Sequence, residues 1–425
     1  MVTTTPTTPA PPAVSKTVRW GPVVAGIVWI AVLAIGLQGL YDRLMFGSQL
    51  TDLGGWIPWG LWVATYMWFI GLSAGAFLLS TLVYVFGMKQ LERVAPLALF
   101  VALVTLIMAM LMIWFDIGHM GRIFEIYYRG NPHSMMAWMG WLYGTYFVLL
   151  MAETYVAIRN PLIQQRSRPG VAGGVAHLLT GRRATPLTEP ELQRGRRITT
   201  ILGAIGIPLA IAFHGGVGAL LATVAARDVW HTGLYPIIFI VGAFFSGGAL
   251  FMGLIAFFWP MRDEAWATTM RVLGRITLGL LLFEVLLEFA DLQVPLWYGV
   301  GPEVKPLTQM LTGPFWWVFW LLEVGGVYAI PALLLIIKPR SPRTIGVAGL
   351  LSATLFLAVR INLVIPGLVT PELSNLQWSY HDGRLLYSYV PTWPEWELVL
   401  FVVAIGVALY WLGVRYLPVV RRETP

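Results

Sequence analysis

Residues 114–141 read WFDIGHMGRIFEIYYRGNPHSMMAWMGW. On either side lie apolar runs long enough to cross a bilayer, so the stretch is a crossing between two membrane helices. Asp116, His119 and Arg122 are spaced three apart. A helix continuing through them would set an acid, an imidazole and a guanidinium on one face. An Asp or Arg at the centre of a bilayer costs on the order of 2.5–3.5 kcal/mol, and less near its edge. Taken alone, the trio also suits an interfacial anchor, with Arg122 on a lipid phosphate. The rest of the chain weighs against that plain reading.

Of the 425 residues, 57% are hydrophobic and 12% charged, and the mean hydropathy is +0.72. That composition belongs to a polytopic membrane protein rather than a soluble domain. The net charge of +7 does not point to nucleic acid. The basic residues lie mostly in loops on alternate sides of the apolar segments, which is a topology signal. The absence of cysteine excludes a protein-ligated iron–sulfur cluster and any disulfide in this chain. The Thr/Pro/Ala-rich residues 1–16 are expected to be a disordered tail.

Apolar segments near 20–41, 56–86, 95–117, 135–158, 198–224, 235–258, 268–291, 313–338, 343–366 and 395–417 predict an all-α integral membrane fold of ten transmembrane helices. Ten crossings leave both termini on one side. The termini and the loops on their side carry 19 Lys and Arg, against Arg43, Arg122, Arg129, Arg227, Lys305 and Arg384 opposite. That bias predicts cytoplasmic termini in a cytoplasmic (inner) membrane. The eight arginines of the 159–197 loop fit a positive-inside determinant better than a docking site.

Spans 2–5 and 6–9 look related. Span 2 has Gly71-Leu-Ser-Ala-Gly75 and span 6 has Phe245-Ser-Gly-Gly-Ala249. Span 3 ends in Phe115-Asp116 and span 7 in Phe289-Ala-Asp291. His214 and Arg360 take matching places in spans 5 and 9. The expected organisation is therefore residues 17–55 as first helix and outer loop, then four-helix bundles over 56–224 and 235–366. An outer loop, 367–394, and a last helix with cytoplasmic tail, 395–425, complete it. Spans 1 and 10 are expected to be peripheral.

Asp116, His119, His214, Glu284, Glu288, Asp291 and Arg360 all fall in or near the outer halves of their spans. So many acids with so few bases suggest a polar cavity open to the outer side rather than structural ion pairs alone. Glu153, Arg271, Arg275 and Glu323 are placed in the inner half, where they form either ion pairs or a proton path towards Glu284 and Glu288. Of the six histidines only His214 lies well within a span. A pair of facing haem ligands is thus missing, and no metal-ligand spacing such as HExxH occurs. Any redox role needs a second polypeptide to carry the electrons.

Four stretches resemble the NrfD-like family of membrane subunits found in polysulfide reductase, certain hydrogenases and alternative complex III. They are WGLWVATYMWFIGLSAGAF (59–77), FDIGHMGRIFEIYYRGNPHSMMAW (115–138), FHGGVGALLATVAARDVWHTGLYPIIFIVGAFFSGGAL (213–250) and VPTWPEWELVLFVVAIGVALYWLGVRYLP (390–418). The last is similar to the ten-helix branch of that family. The resemblance implies a quinone or quinol (menaquinone or ubiquinone) bound near the outer face, with no haem, metal or cluster in the chain. It also implies an iron–sulfur partner subunit on the outer, periplasmic face, with a further catalytic or multihaem subunit. Asp116, His119, Arg122, His214, Glu284, Asp291 and Arg360 are the expected quinone-site residues. Asp116, His119 and His214 are the expected proton-transfer groups among them. The family often has Asp-Leu-Gly-Arg where this chain has Asp116-Ile-Gly-His119, so a titratable ring replaces a fixed charge. Two other classes remain open from the residues alone. One is a proton-coupled transporter with its site between two repeats, and the other is a passive membrane anchor.

Overall fold

The computed structural model describes residues 20–181, 185–299, 301, 304–373, 375–379 and 382–420. The expected tail 1–16 lies outside them, as do His381 and residues 421–425. Every regular element described is helical. In order these are α1 (Trp20–Phe46), α2 (Leu61–Tyr84), α3 (Ala95–Asp116), α4 (Glu125–Arg129), α5 (Met135–Gln165), α6 (Val171–Thr180) and α7 (Glu189–Ala222). Then follow α8 (Tyr235–Phe258), α9 (Glu264–Tyr298), α10 (Val304–Leu311), α11 (Val318–Ile337), α12 (Pro342–Val369) and α13 (Trp393–Tyr416).

Nine of the described helices are long and apolar enough to span a membrane. The tenth long helix is α9, whose 35 residues have ample length at about 1.5 Å per residue. Glu264, Arg271, Arg275, Glu284, Glu288 and Asp291 are spread along it, which lowers its hydropathy. Several expected boundaries move for local reasons. α7 starts at Glu189, not near 198, because Thr188 and Glu191 form a capping box. α5 runs on to Gln165, so much of the expected 159–197 loop is helix, including α6. The first turns of α11, Val318–Ala329, are wound as π-helix.

α2, α3, α5 and α7 pack as one group, and α8, α9, α11 and α12 as another. The groups meet where α2 crosses α8. A Cβ on Gly75 would lie 2.6 Å from the Gly247 Cα, and one on Gly247 would lie 2.5 Å from the Gly75 Cα. Only two glycines permit that approach. Trp68 on α2 also donates its indole N–H to the Ala353 carbonyl of α12 at 2.7 Å.

α1 and α13 form an antiparallel pair, tied by Trp29 Nε1 donating to Ala404 O at 2.9 Å. α13 leans on α3. The pairing puts Trp20 and Tyr416 at the same end of the molecule, here the termini side. Asp116 and Asp291 end up on the opposite, far side.

Candidate functional site

The trio of Asp116, His119 and Arg122 does not share a helix face. α3 ends at Asp116, and Ile117 turns extended at φ −65°, ψ 125°. The expectation failed because Gly118 and Gly121 give this segment no helical stiffness. His119 and Arg122 therefore lie exposed on the far-side loop, with Met120–Arg122 in a single tight turn. Asp116 stays partly buried at the helix end.

A helix C-terminus leaves carbonyls unpaired. Arg43 of α1 supplies the donors. Its Nε donates to Phe115 O at 2.6 Å and its terminal N–H to Ile117 O at 2.8 Å. The same guanidinium sits over the Trp62 ring at 5.6 Å, and Arg43 is only 6% exposed. Asp116 is within electrostatic reach of Arg43, of Tyr66 and of Glu395 at the start of α13. Glu395 is held firmly: Tyr389 donates to one carboxylate oxygen, and the Thr392 amide and hydroxyl donate to the other at 2.9 and 3.0 Å. Tyr389 in turn accepts the Leu61 amide at 2.7 Å, at the first turn of α2. This far-side centre thus joins α1, α2, α3 and α13.

A second centre lies between α8, α9, α11 and α12. Arg360 is 1% exposed and its guanidinium stacks on Phe239 at 4.4 Å and Phe356 at 4.8 Å. Around it are Glu284, Glu288 and Glu323. Tyr328 donates to Glu288 Oε1 at 2.7 Å, and Asn362 Nδ2 donates to Glu323 Oε2 at 2.7 Å. Both Glu284 oxygens and Arg360 Nε are buried without a hydrogen-bond partner. Gly242 on α8 makes room for both side chains: a Cβ there would fall 3.2 Å from the Arg360 guanidinium and against a Glu284 oxygen. A cavity of about 70 Å³ is lined by Glu288, Asp291, Glu323, Arg360 and Asn362, room for a few waters. Glu323 was expected in the inner half. It belongs instead with Asp291 and Arg360, because α11 enters from the far side and Glu323 lies only two turns into it.

The remaining expected residues are spread. His214 is 2% exposed, between α7 and α2, with Nδ1 at 2.9 Å from Ala210 O and Nε2 at 2.9 Å from Ile70 O. A neutral ring has one N–H to give to these two acceptors. His214 also lies within electrostatic reach of Arg360. Glu153 is buried in the first group, near Tyr146, with both oxygens unpaired. Arg271 pairs with Glu264 at the start of α9, and Arg275 is exposed on the same helix. The seven expected quinone-site residues thus divide. Asp116 anchors one centre, with His119 and Arg122 on the loop after it. Glu284, Asp291 and Arg360 belong to the other. His214 lies between the two groups. Among the described residues no His, Asp or Glu cluster is arranged to hold a metal ion.

Arg43, Glu395, Tyr389 and Tyr66 were missed by sequence reasoning. Arg43 looked like a loop charge and Glu395 like a helix-start residue; Thr392-x-x-Glu395 is a capping box by spacing. Nothing in the spacing of either residue points to Asp116.

Fold and site together define a multi-span, all-helical membrane protein with two acid-rich centres near one face. The chain belongs to the NrfD family, whose profile, described as "Polysulphide reductase, NrfD", matches residues 50–372. It is 34% identical to a selenate reductase subunit of Mesobacillus selenatarsenatis, over 92% of this chain and 93% of that one. It is 28% identical to the Hdr-like menaquinol oxidoreductase integral membrane subunit of Archaeoglobus fulgidus, over 92% and 91% of the two chains. The menaquinone reductase integral membrane subunit of Nitratidesulfovibrio vulgaris is 23% identical, over 93% of this chain and 92% of its own.

Proposed function

We propose that this chain is the quinone-reactive membrane subunit of an oxidoreductase complex and exchanges electrons with an iron–sulfur partner on its far side. The observation that carries the reading is Asp116. It is a partly buried acid at a helix end, with the Arg43 guanidinium and Tyr66 within electrostatic reach, and the quinone headgroup is assigned beside it. Two relatives named for menaquinol or menaquinone support the substrate class. The lysine and arginine bias supports a far side that faces the periplasm, with both termini cytoplasmic.

A bound quinol would supply two electrons and two protons when it is oxidised, and a bound quinone would take them up in the reverse direction. The residues have separable tasks in either case. Asp116 exchanges a proton with one headgroup oxygen. His119, on the loop that follows α3, offers an imidazole for passing it on to the far side. Arg43 fixes the end of α3 and balances the Asp116 charge. Trp62 and Tyr66 stand beside Arg43 and Asp116 and supply aromatic surface there. The water-sized cavity at Glu288, Asp291 and Glu323 suits proton exchange with the far side, with Arg360 keeping the local charge balanced. Glu153 extends the acid series towards the termini side. Exposed Phe124, Tyr128 and Trp138, at 70%, 70% and 48% exposure, give the far-side loop an aromatic surface suited to a partner protein.

The test is purification in mild detergent, with mass spectrometry of co-purifying chains and extraction of quinone. An iron–sulfur protein and quinone are expected together. A single polypeptide free of quinone would overturn the reading in favour of a proton-coupled transporter. Asp116→Asn is expected to cut quinol turnover by about 10²-fold or more with assembly intact.

A further inference from the structure

A second cavity, on the termini side, plays no part in the reading above. It lies over the start of α3, between the last turn of α5, the start of α6 and the last turn of α13, and its volume is about 820 Å³. Asn160, Gln164, Ser167, Arg168 and Arg415 give it polar walls, while Pro96, Val414 and Leu417 make it apolar towards the membrane. Gln165 ties its three helices together, donating Nε2 to Ala172 O at 3.1 Å and to Tyr416 O at 2.6 Å. The site is therefore built, and its walls do not depend on a ligand.

Its charge is one-sided. No Asp or Glu occurs between Arg159 and Gly181, or between Glu397 and Arg415. Arg166 is engaged elsewhere, donating to Thr180 Oγ1 at 2.8 Å and to Gly181 O at 2.6 Å. Arg168 and Arg415 stay exposed at the rim. Two guanidiniums facing one cavity at a bilayer edge, neither paired among the described residues, suit a phosphodiester.

The neighbouring surface says which kind. α6 tucks Gly173 and Ala176 inward and leaves Val171, Leu178 and Leu179 at 62%, 82% and 43% exposure. A short helix with uncovered apolar residues among arginines lies in the headgroup layer of a membrane. Towards the bilayer centre, Met151 and Tyr155 on α5 and Val407 and Trp411 on α13 are exposed apolar surface, a track for acyl chains. A soluble phosphate compound would have no use for it.

We propose that this cavity is a binding site for an anionic phospholipid, with the headgroup phosphate between Arg168 and Arg415 and the acyl chains along α5 and α13.

The test is native mass spectrometry of the intact protein, titrated separately with phosphatidylglycerol, cardiolipin and phosphatidylcholine of equal chain length. One tightly retained anionic lipid per chain is expected, and no equivalent phosphatidylcholine. Arg168→Ala with Arg415→Ala should weaken retention about twenty-five-fold, from roughly five-fold per arginine at a membrane surface. The paired Lys variant should keep most of it. Lys338→Ala with Arg340→Ala, at another turn on the termini side, serves as control and should change nothing. Equal retention of phosphatidylcholine, undiminished binding in the double Ala variant, or displacement by millimolar inorganic phosphate would each overturn the proposal.

Discussion

Arg43 of α1 donates to the Phe115 carbonyl at 2.6 Å, so a helix at the edge of the molecule closes the end of the helix that carries Asp116. Replacing Arg43 with Ala leaves two carbonyls at a buried helix end without donors. Charged hydrogen bonds of this kind are each worth about 1.5–3 kcal/mol, so Arg43→Ala should lower stability by about 3 kcal/mol. Arg43→Lys can reach only one carbonyl at a time and should recover less than half. Thermal unfolding in detergent measures both. Quinol turnover should fall with them, because the position of Asp116 depends on the end of α3.

Tyr389 relays between the Leu61 amide and the Glu395 carboxylate. Tyr389→Phe removes both bonds while keeping the ring. The buried amide and carboxylate each lose a partner, at a cost of about 1–3 kcal/mol. The effect should appear as a lower unfolding midpoint with the chain still inserted and assembled.

The approach of Gly75 to Gly247 permits no side chain. Gly75→Ala places its Cβ 2.6 Å from the Gly247 Cα, closer than backbone atoms tolerate. Overpacking of this kind costs about 1–3 kcal/mol. Gly75→Leu should prevent the two helix groups from closing, seen as aggregation in size-exclusion chromatography. The paired Gly75→Ala, Gly247→Ala variant should be worse than the sum of the single changes, since both act on one contact.

Among the described residues, Arg360 is the one base acting on Glu284, Glu288 and Glu323. Removing the sole counter-charge from a buried acid cluster costs about 3–5 kcal/mol, and Arg360→Ala should express poorly. Glu284→Gln takes away an acid whose oxygens have no partner, so the fold should survive it. If Glu284 carries protons, turnover should drop about 10²-fold in that variant with unchanged thermal stability. Normal turnover would remove Glu284 from the proton route.

Asp263 lies outside the membrane spans and caps α9. The Trp266 amide first, and then Arg93 at 2.8 Å, hold its carboxyl below the usual carboxylate range. Its folded-state affinity for a proton is thus weaker than in the unfolded chain. The stabilisation is present above about pH 4 and is lost as pH falls through the folded value. Asp263→Asn keeps the cap and loses the charge. It should flatten the acid limb of an unfolding-midpoint profile by lowering the midpoint at neutral pH, and leave the acid end nearly unchanged.

Much of this molecule is legible in the chain. Ten spans, termini on one side and the small-residue runs of spans 2 and 6 all follow from patterns within single segments. Asp116, Glu284, Asp291 and Arg360 stand out for the same reason, since an ionisable group in an apolar run needs a partner. The partners are less legible. Asp116 and His119 look like one helical face, yet the helix ends at Asp116 and Gly118 lies between them. Glu323 looks like an inner residue, yet it meets Asn362 and the cavity beside Asp291. Arg43 and Glu395 look like ordinary charges at the ends of peripheral helices.

The sequence by itself determined what is local: which segments cross the bilayer, how many there are, and which of them carry polar groups. Hydropathy and length decide those points, because a bilayer imposes the same requirement on every span. Only the tertiary structure decided how the polar groups are shared between two centres. That depends on how each helix is rotated about its axis and which neighbour it packs against. Contacts between distant segments fix both, as when Gly75 meets Gly247 and α13 brings Glu395 to the end of α3.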